Sequence, residues 1–195
     1  MSPRIPSKNE EIRQESMKKI MEAAFSLIAK QGYESTSIAQ IAKGAGVSKG
    51  LLYNYFTSKE DLLKQLIDNA AAQGENVMAE LIADDPAVTL ENIFKWLFKE
   101  LRERPDYFRL LMELTFKIDK FQFAHDLALQ KYTGYLKFLE DLLSQMNFPD
   151  PRGEASLLAA LFDGIGIQWM VIKDDYPSEE IESFLINKYC KGKYK

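Results

Sequence analysis

The sequence predicts an all-α protein of about nine helices. Three observations carry that expectation. Apolar residues recur at spacings of three and four, the period of one helix face, and no run alternates as a strand would between turn residues. The seven prolines and ten glycines are few, and they fall where helices should end. The connectors between periodic stretches are short, as in packed helical proteins.

Each element can be justified in order. Met17, Ile20, Ala24, Leu27 and Ile28 form one face of a first helix, which Gly32 should end as a left-handed cap. Ser37-x-x-Gln40 has the form of a capping box opening a short second helix, and Gly44 and Gly46 break it. Ser48 caps a third helix running through Tyr55. Ser58-x-x-Asp61 opens a long fourth, whose buried stripe is Leu63, Ile67, Ala70, Gly74, Val77, Met78 and Leu81.

Asp84-Asp85-Pro86 is the clearest break. Leu90, Ile93, Phe94, Leu97, Phe98 and Leu101 stripe a fifth helix that stops before Pro105. Further helices are expected over Asp106 to Lys117, about Phe121 to Met146, and from the Asn147–Gly153 loop to about Lys173. Asp174-Asp175-Tyr176-Pro177 reads as a turn, after which Ser178 should cap a last helix ending near Tyr189. This organisation implies an N-terminal domain over residues 1–60 and a larger helical domain over 61–195.

Composition bounds the function. Net charge is −4, but residues 1–60 hold 9 Lys+Arg against 6 Asp+Glu, and residues 61–195 hold 16 against 23. A basic head on an acidic body puts any phosphate-binding surface at the N-terminus. The single cysteine, Cys190, cannot form an internal disulfide, and the polar start has no signal-peptide core, so a cytoplasmic location is expected. The most apolar stretch, Leu157 to Ile172, reads as shorter than a membrane span and is interrupted by Asp163 and Gln168.

The informative segment is Ser37 to Tyr55. Two short helices that cross closely need a small residue at the crossing, a sharp turn and an apolar inner face. Ala42, Gly46, and Ile41, Ala45, Val47, Leu52 and Tyr55 supply these. That spacing resembles a helix-turn-helix, in which the second helix enters the major groove of double-stranded DNA. The alternative is a hairpin that merely packs.

The resemblance extends further. Ala23-Ala24-Phe25, Gly32-Tyr33, Thr36-Ser37-Ile38, Ile41-Ala42, Ala45 to Gly50, Leu52-Tyr53-x-Tyr55-Phe56 and Ser58-Lys59-Glu60-x-Leu62-Leu63 look like the N-terminal signature of the TetR (tetracycline-repressor) family, over roughly residues 12–66. That resemblance implies a homodimeric repressor, released from its operator by a small molecule bound in the C-terminal domain.

Candidate DNA-binding residues follow from position. Thr36 and Ser37, at the start of the second helix, and Ser48, at the start of the third, offer hydroxyls and N–H groups to phosphate. Lys49 is the only charged side chain on the third helix and can reach a guanine edge or a phosphate. Gly50 allows close backbone approach. One of Tyr53 and Tyr55 should pack inward, and the resemblance favours Tyr53 for phosphate. Asn54 could read adenine or face solvent. Lys59 matches a phosphate-contacting position in the family. Lys8 or Arg4 could form a minor-groove arm.

The 157–172 helix is apolar nearly all round, so it must be buried on more than one face. A second copy is expected to cover part of it, through Phe162, Gly166, Trp169, Ile181, Phe184 and Leu185. Aromatic and methionine side chains, including Trp96, Phe108, Met112, Phe116, Phe121, Tyr132, Tyr135 and Trp169, allow an apolar cavity between helices. His125 lines up with Leu129 and Tyr132 as a candidate polar anchor. The expected ligand is a small apolar or amphipathic effector.

Enzyme readings find no support in the sequence. One His and one Cys far apart give no metal set, Gly164-x-Gly166 follows no strand, and no nucleophile elbow appears. No catalysis, metal or cofactor is expected.

Overall fold

The computed structural model describes residues 8–106, 108–110 and 122–192, which are helical or turn with no strand among them. The chain divides into two compact units, Met1–Ala72 and Gln73–Lys195. That division lies beyond the expected 60/61 boundary. The first turns of the fourth helix bury Leu62, Leu63 and Leu66 within the first unit.

In the N-terminal unit, α1 spans Lys8–Gln31, α2 Ile38–Gly44 and α3 Lys49–Tyr55, followed by the start of α4, Lys59–Leu81. Gly32 ends α1 at φ 84° with its N–H on the Ile28 carbonyl at 2.8 Å, the left-handed cap that lacks a Cβ penalty. The capping box at α2 forms in full. Ser37 Oγ accepts the Gln40 N–H at 3.2 Å, and the Gln40 side-chain oxygen accepts the Ser37 N–H at 2.8 Å. Gly46 turns the chain at φ 68° between α2 and α3, as the motif requires. Ser58 Oγ accepts the Asp61 N–H at 2.9 Å, while the Asp61 carboxylate accepts the Thr57 N–H at 2.8 Å. The Gln65 side chain, donating to the same carboxylate at 3.0 Å, and the Thr57 bonds hold the Asp61 carboxyl below its usual range. The core gathers Ile20, Ala24, Ile28, Tyr33, Ile38, Ile41, Ala42, Leu52 and Phe56.

In the C-terminal unit, α5 spans Pro86–Glu103, α6 Gln122–Gln145, α7 Pro151–Ile172 and α8 Ser178–Leu185. Asp85 caps α5 by accepting the Ala87 N–H at 2.8 Å, with Pro86 in the first turn where a missing N–H costs nothing. The α5 stripe Leu90, Ile93, Phe94, Leu97, Phe98 and Leu101 is buried. It packs in one cluster with Leu139, Leu143, Leu158, Leu185 and Tyr189. Of the helix expected over 106–117, residues 106 and 108–110 are helical; the rest lies outside the described residues. So do Met112, Phe116, Phe121 and Arg4, and the burial of Ala70 and Gly74 on α4.

Two sequence expectations are corrected here. Ser178 does not cap the last helix: it is the first helical residue, Pro177 occupies the cap position, and no side-chain cap bond forms. The helix then widens into a π-helical turn over Ile186–Cys190, which buries Ile186, Tyr189 and Cys190 together. Second, the apolar helical segment is longer than the 157–172 stretch suggests, because it begins at Pro151. By length and composition alone, Pro151–Asp175 is sufficient to cross a membrane. Ala155, Leu158, Ala159, Ile165 and Gly166 nonetheless bury one side of α7 inside the unit.

Candidate nucleic-acid interface

The third helix presents a polar, open tip. Ser48 is its N-cap, accepting the Leu51 N–H at 3.0 Å. Leu52 is fully buried, and that anchor fixes the rotation of α3. Lys49, Gly50, Tyr53 and Asn54 consequently face solvent. Tyr53 is 48% exposed, whereas Tyr55 is half-buried, so the two tyrosines divide as the helical period demands. Phe56 at the C-cap is wholly buried, an inward anchor that the α3 pattern alone did not single out.

Gly50 has no internal explanation. A Cβ there would meet only Ser48 Oγ, at 3.9 Å, and its backbone is not left-handed. Glycine in a helix costs about 1 kcal/mol relative to alanine. The chain's own packing does not require that cost.

Three residues expected at phosphate have partners within the chain. Thr36 is 1% exposed; its hydroxyl donates to the Gly32 carbonyl at 2.8 Å and accepts from the Gln31 side chain at 3.2 Å. Its own N–H donates to the Tyr33 carbonyl at 3.2 Å. It is a strut of the α1–α2 loop. Ser37 is exposed, yet its N–H and hydroxyl both donate to the Gln40 side-chain oxygen. Lys59 is turned inward as well. Its ammonium donates to the Tyr33 and Thr36 carbonyls at 2.9 and 3.0 Å and sits 4.0 Å from the centroid of the Tyr33 ring. Lysine at a helix start suits phosphate by position alone, but its four-carbon stem lets it reach two loop carbonyls and a ring face instead. Tyr33, 7% exposed, is the missed partner.

The expected pocket residues scatter. Phe108 and Trp169 meet edge-on at 6.4 Å, and Tyr135 and Phe162 are tilted at 6.1 Å; all four pack against the core cluster. Trp96 is half-buried on α5. His125 is exposed, its Nδ1 3.6 Å from Asp126, and Leu129 and Tyr132 on the same helix are also exposed. That shared face of α6 points outward, not into a pocket. Asp163 of α7 lies at the surface beside Tyr132; partial burial raises its carboxyl and a Tyr132 hydrogen bond partly offsets that. Burial also raises the Tyr135 phenol.

The expected dimer residues divide sharply. Phe162 packs on Phe94 at 5.8 Å, Leu185 is 4% exposed, and Ile181 and Trp169 pack against the core. Gly166 is buried, and a Cβ on it would collide with the Phe108 ring. These residues serve the unit's own interior. Phe184, at 65%, is exposed. The apolar groups open to solvent on α7 are others: Leu157, Ile167, Val171 at 74%, and Ile172. They were overlooked because the all-round apolar helix gave no phase from which to choose its outer face.

Among the described residues no group of three or more His, Cys, Asp or Glu is placed to hold a metal ion. Cys190 is buried, and that burial pushes its thiol up to about 12.

Residues 20–66 match the family model described as bacterial regulatory proteins, tetR family. The HTH-type transcriptional regulator AcrR of Shigella flexneri is 26% identical over 176 residues, 84% of this chain and 82% of that protein. The HTH-type regulator YuxN of Bacillus subtilis is 28% identical over 68% of this chain, which spans about half of that protein's length, 53%. A TetR transcription regulator from Haloarcula marismortui has the same fold at a TM-score of 0.78, with 20% identity over 91% of this chain and 97% of that one.

Proposed function

We propose, from the match of residues 20–66 to the tetR family model, that the chain is a TetR-family regulator, a ligand-responsive DNA-binding repressor that works as a homodimer. The observation that carries the reading is the tip of α3. Leu52 is buried while Lys49, Gly50, Tyr53 and Asn54 stand exposed beside the Ser48 cap. A helix entering the major groove needs one face locked into its domain and short or polar groups on the other. Gly50, which nothing in the chain requires, is then explained by close approach to the duplex.

Homodimerisation is supported by Leu157, Ile167, Val171, Ile172 and Phe184, whose exposure leaves α7 and α8 with apolar surface that water covers poorly. A Cβ on Gly164 of α7 would meet no described atom within 4 Å outside its own stretch of helix, so a second helix could approach there. Two readers in one dimer would recognise a palindromic operator with half-sites about 34–36 Å apart. A small apolar or amphipathic effector in the C-terminal unit would release it, in the cytoplasm, with no catalysis.

The test is fluorescence anisotropy with duplexes tiled across the DNA flanking the gene. One duplex should bind with at least about a thousandfold preference over unrelated sequence. Equal affinity for every duplex would leave the helix-turn-helix as a packing hairpin.

A further inference from the structure

A cavity of about 710 Å³ opens in the C-terminal unit where α5 and α7 end and α8 begins. Ligand sites run from roughly 300 to 1,000 Å³. Its apolar lining is Trp169, Met170, Tyr176, Pro105 and Pro177. Of the expected pocket residues that are described, it takes in Trp169 alone.

The charge around the cavity is unbalanced once the ion pairs are counted. Arg102 is held by Glu182 at 3.4 Å and Arg109 by Asp106 at 3.0 Å, so both guanidiniums are neutralised within the chain. What remains on the rim is Asp174, Glu179 and Glu180 against the ammonium of Lys173. None of these four has an ion-pair partner among the described residues. Two helices also end here: Arg102 lies in the last turn of α5, and Trp169 and Met170 in the last turn of α7. Helix C-termini carry partial negative charge and outward-facing carbonyls. The α8 N-terminus offsets part of the Glu179 and Glu180 charge but does not reverse the sign.

We propose that this cavity binds an amphipathic organic cation, its apolar body against Trp169 and Met170 and its charge toward Asp174, Glu179 and Glu180. An anion of the same shape is disfavoured by the three carboxylates, and the two arginines that would attract it are already paired with Glu182 and Asp106. Lys173 is the resident competitor. It stands on the rim with a positive φ of 59°, and its positive charge would compete with the ligand's for the same carboxylates. The proposal rests on reading the C-terminal unit as the sensor only for its regulatory consequence; binding itself is measured without DNA.

Calorimetry with tetraphenylphosphonium and tetraphenylborate, one shape with opposite charges, gives the test. The phosphonium should bind at one site per chain, at least about tenfold tighter than the borate. Lys173→Gln should tighten it about threefold, because the competing ammonium is gone. The triple variant Asp174→Asn, Glu179→Gln, Glu180→Gln should weaken it about tenfold or more. If the triple variant loses α8, Asp174→Asn alone lies outside that helix and should still weaken binding. Equal affinity for the two probes, no binding heat, or phosphonium binding indifferent to all these changes would overturn the proposal. A phosphonium that binds as stated but leaves an operator complex intact would uphold the site and count against the sensor reading.

Discussion

The two units cover their surfaces in opposite ways. In the N-terminal unit the large apolar groups left in water are few, Ile12 and Tyr53 among the described residues. Its polar groups are tied down locally: Ser37 to Gln40, Asp61 to Thr57, Lys59 to two loop carbonyls. In the C-terminal unit α7 and α8 leave Leu157, Ile167, Val171, Ile172 and Phe184 in water. A surface finished with polar caps and a few free cations suits a hydrated polyanion. One that leaves aliphatic and aromatic groups open suits another apolar surface, and a second copy always has one. The two exteriors therefore point to two kinds of partner.

The sharpest break of that comparison uses two neighbouring residues on α8. Leu185→Asp puts a charge into the core cluster and should cost about 4 kcal/mol or more, seen as loss of the cooperative thermal transition. Phe184→Asp, one residue earlier on the open side, should leave the monomer's fold intact and shift sedimentation from dimer to monomer at micromolar concentration. Equal effects of the two on folding would mean that the exposed face is part of the unit's own core.

A smaller effect separates two lysines of the N-terminal unit. Lys59→Ala removes two hydrogen bonds and a ring contact from the α1–α2 loop, at a cost of about 1–2 kcal/mol of stability. Operator affinity should fall while the salt slope stays near that of wild type, because no phosphate contact is lost. Lys49→Ala should leave the melting temperature unchanged and weaken DNA binding, with the salt slope falling by about one if its contact is a phosphate. A reduced slope for Lys59→Ala with unchanged stability would return that residue to the DNA surface.

Much of this was readable in the residues. The Ser37 and Ser58 caps, the Gly32 and Gly46 turns and the α5 stripe are local signals, and each formed as the spacing predicts. The contacts that the sequence did not show share a physical cause. Lys59 and Thr36 find partners across a loop, Tyr33 and Gly32, which no helical period encodes. Gly166 and Leu185 are apolar or small on elements whose two sides look alike in sequence, so only packing against Phe108 and the core decides their direction. The cavity beside Trp169 is built from three element ends, and ends carry no periodicity at all.

The smallest effect has opposite signs in the two readouts. Gly50→Ala should stabilise the free protein by about 0.5–1 kcal/mol, since alanine favours a helix and nothing crowds the added carbon. The same change should weaken operator binding. Tighter binding would show that Gly50 is not pressed against the duplex.

The central claim is that one surface reads DNA while another pairs two copies, so that two readers act together. Sedimentation velocity on a labelled operator, with wild type and with Val171→Asp, tests it most directly. The account predicts two chains per operator for wild type. For Val171→Asp it predicts a folded monomer that gives no specific complex at the same concentration. A wild-type complex of one chain per operator, with the variant binding equally well, would contradict it.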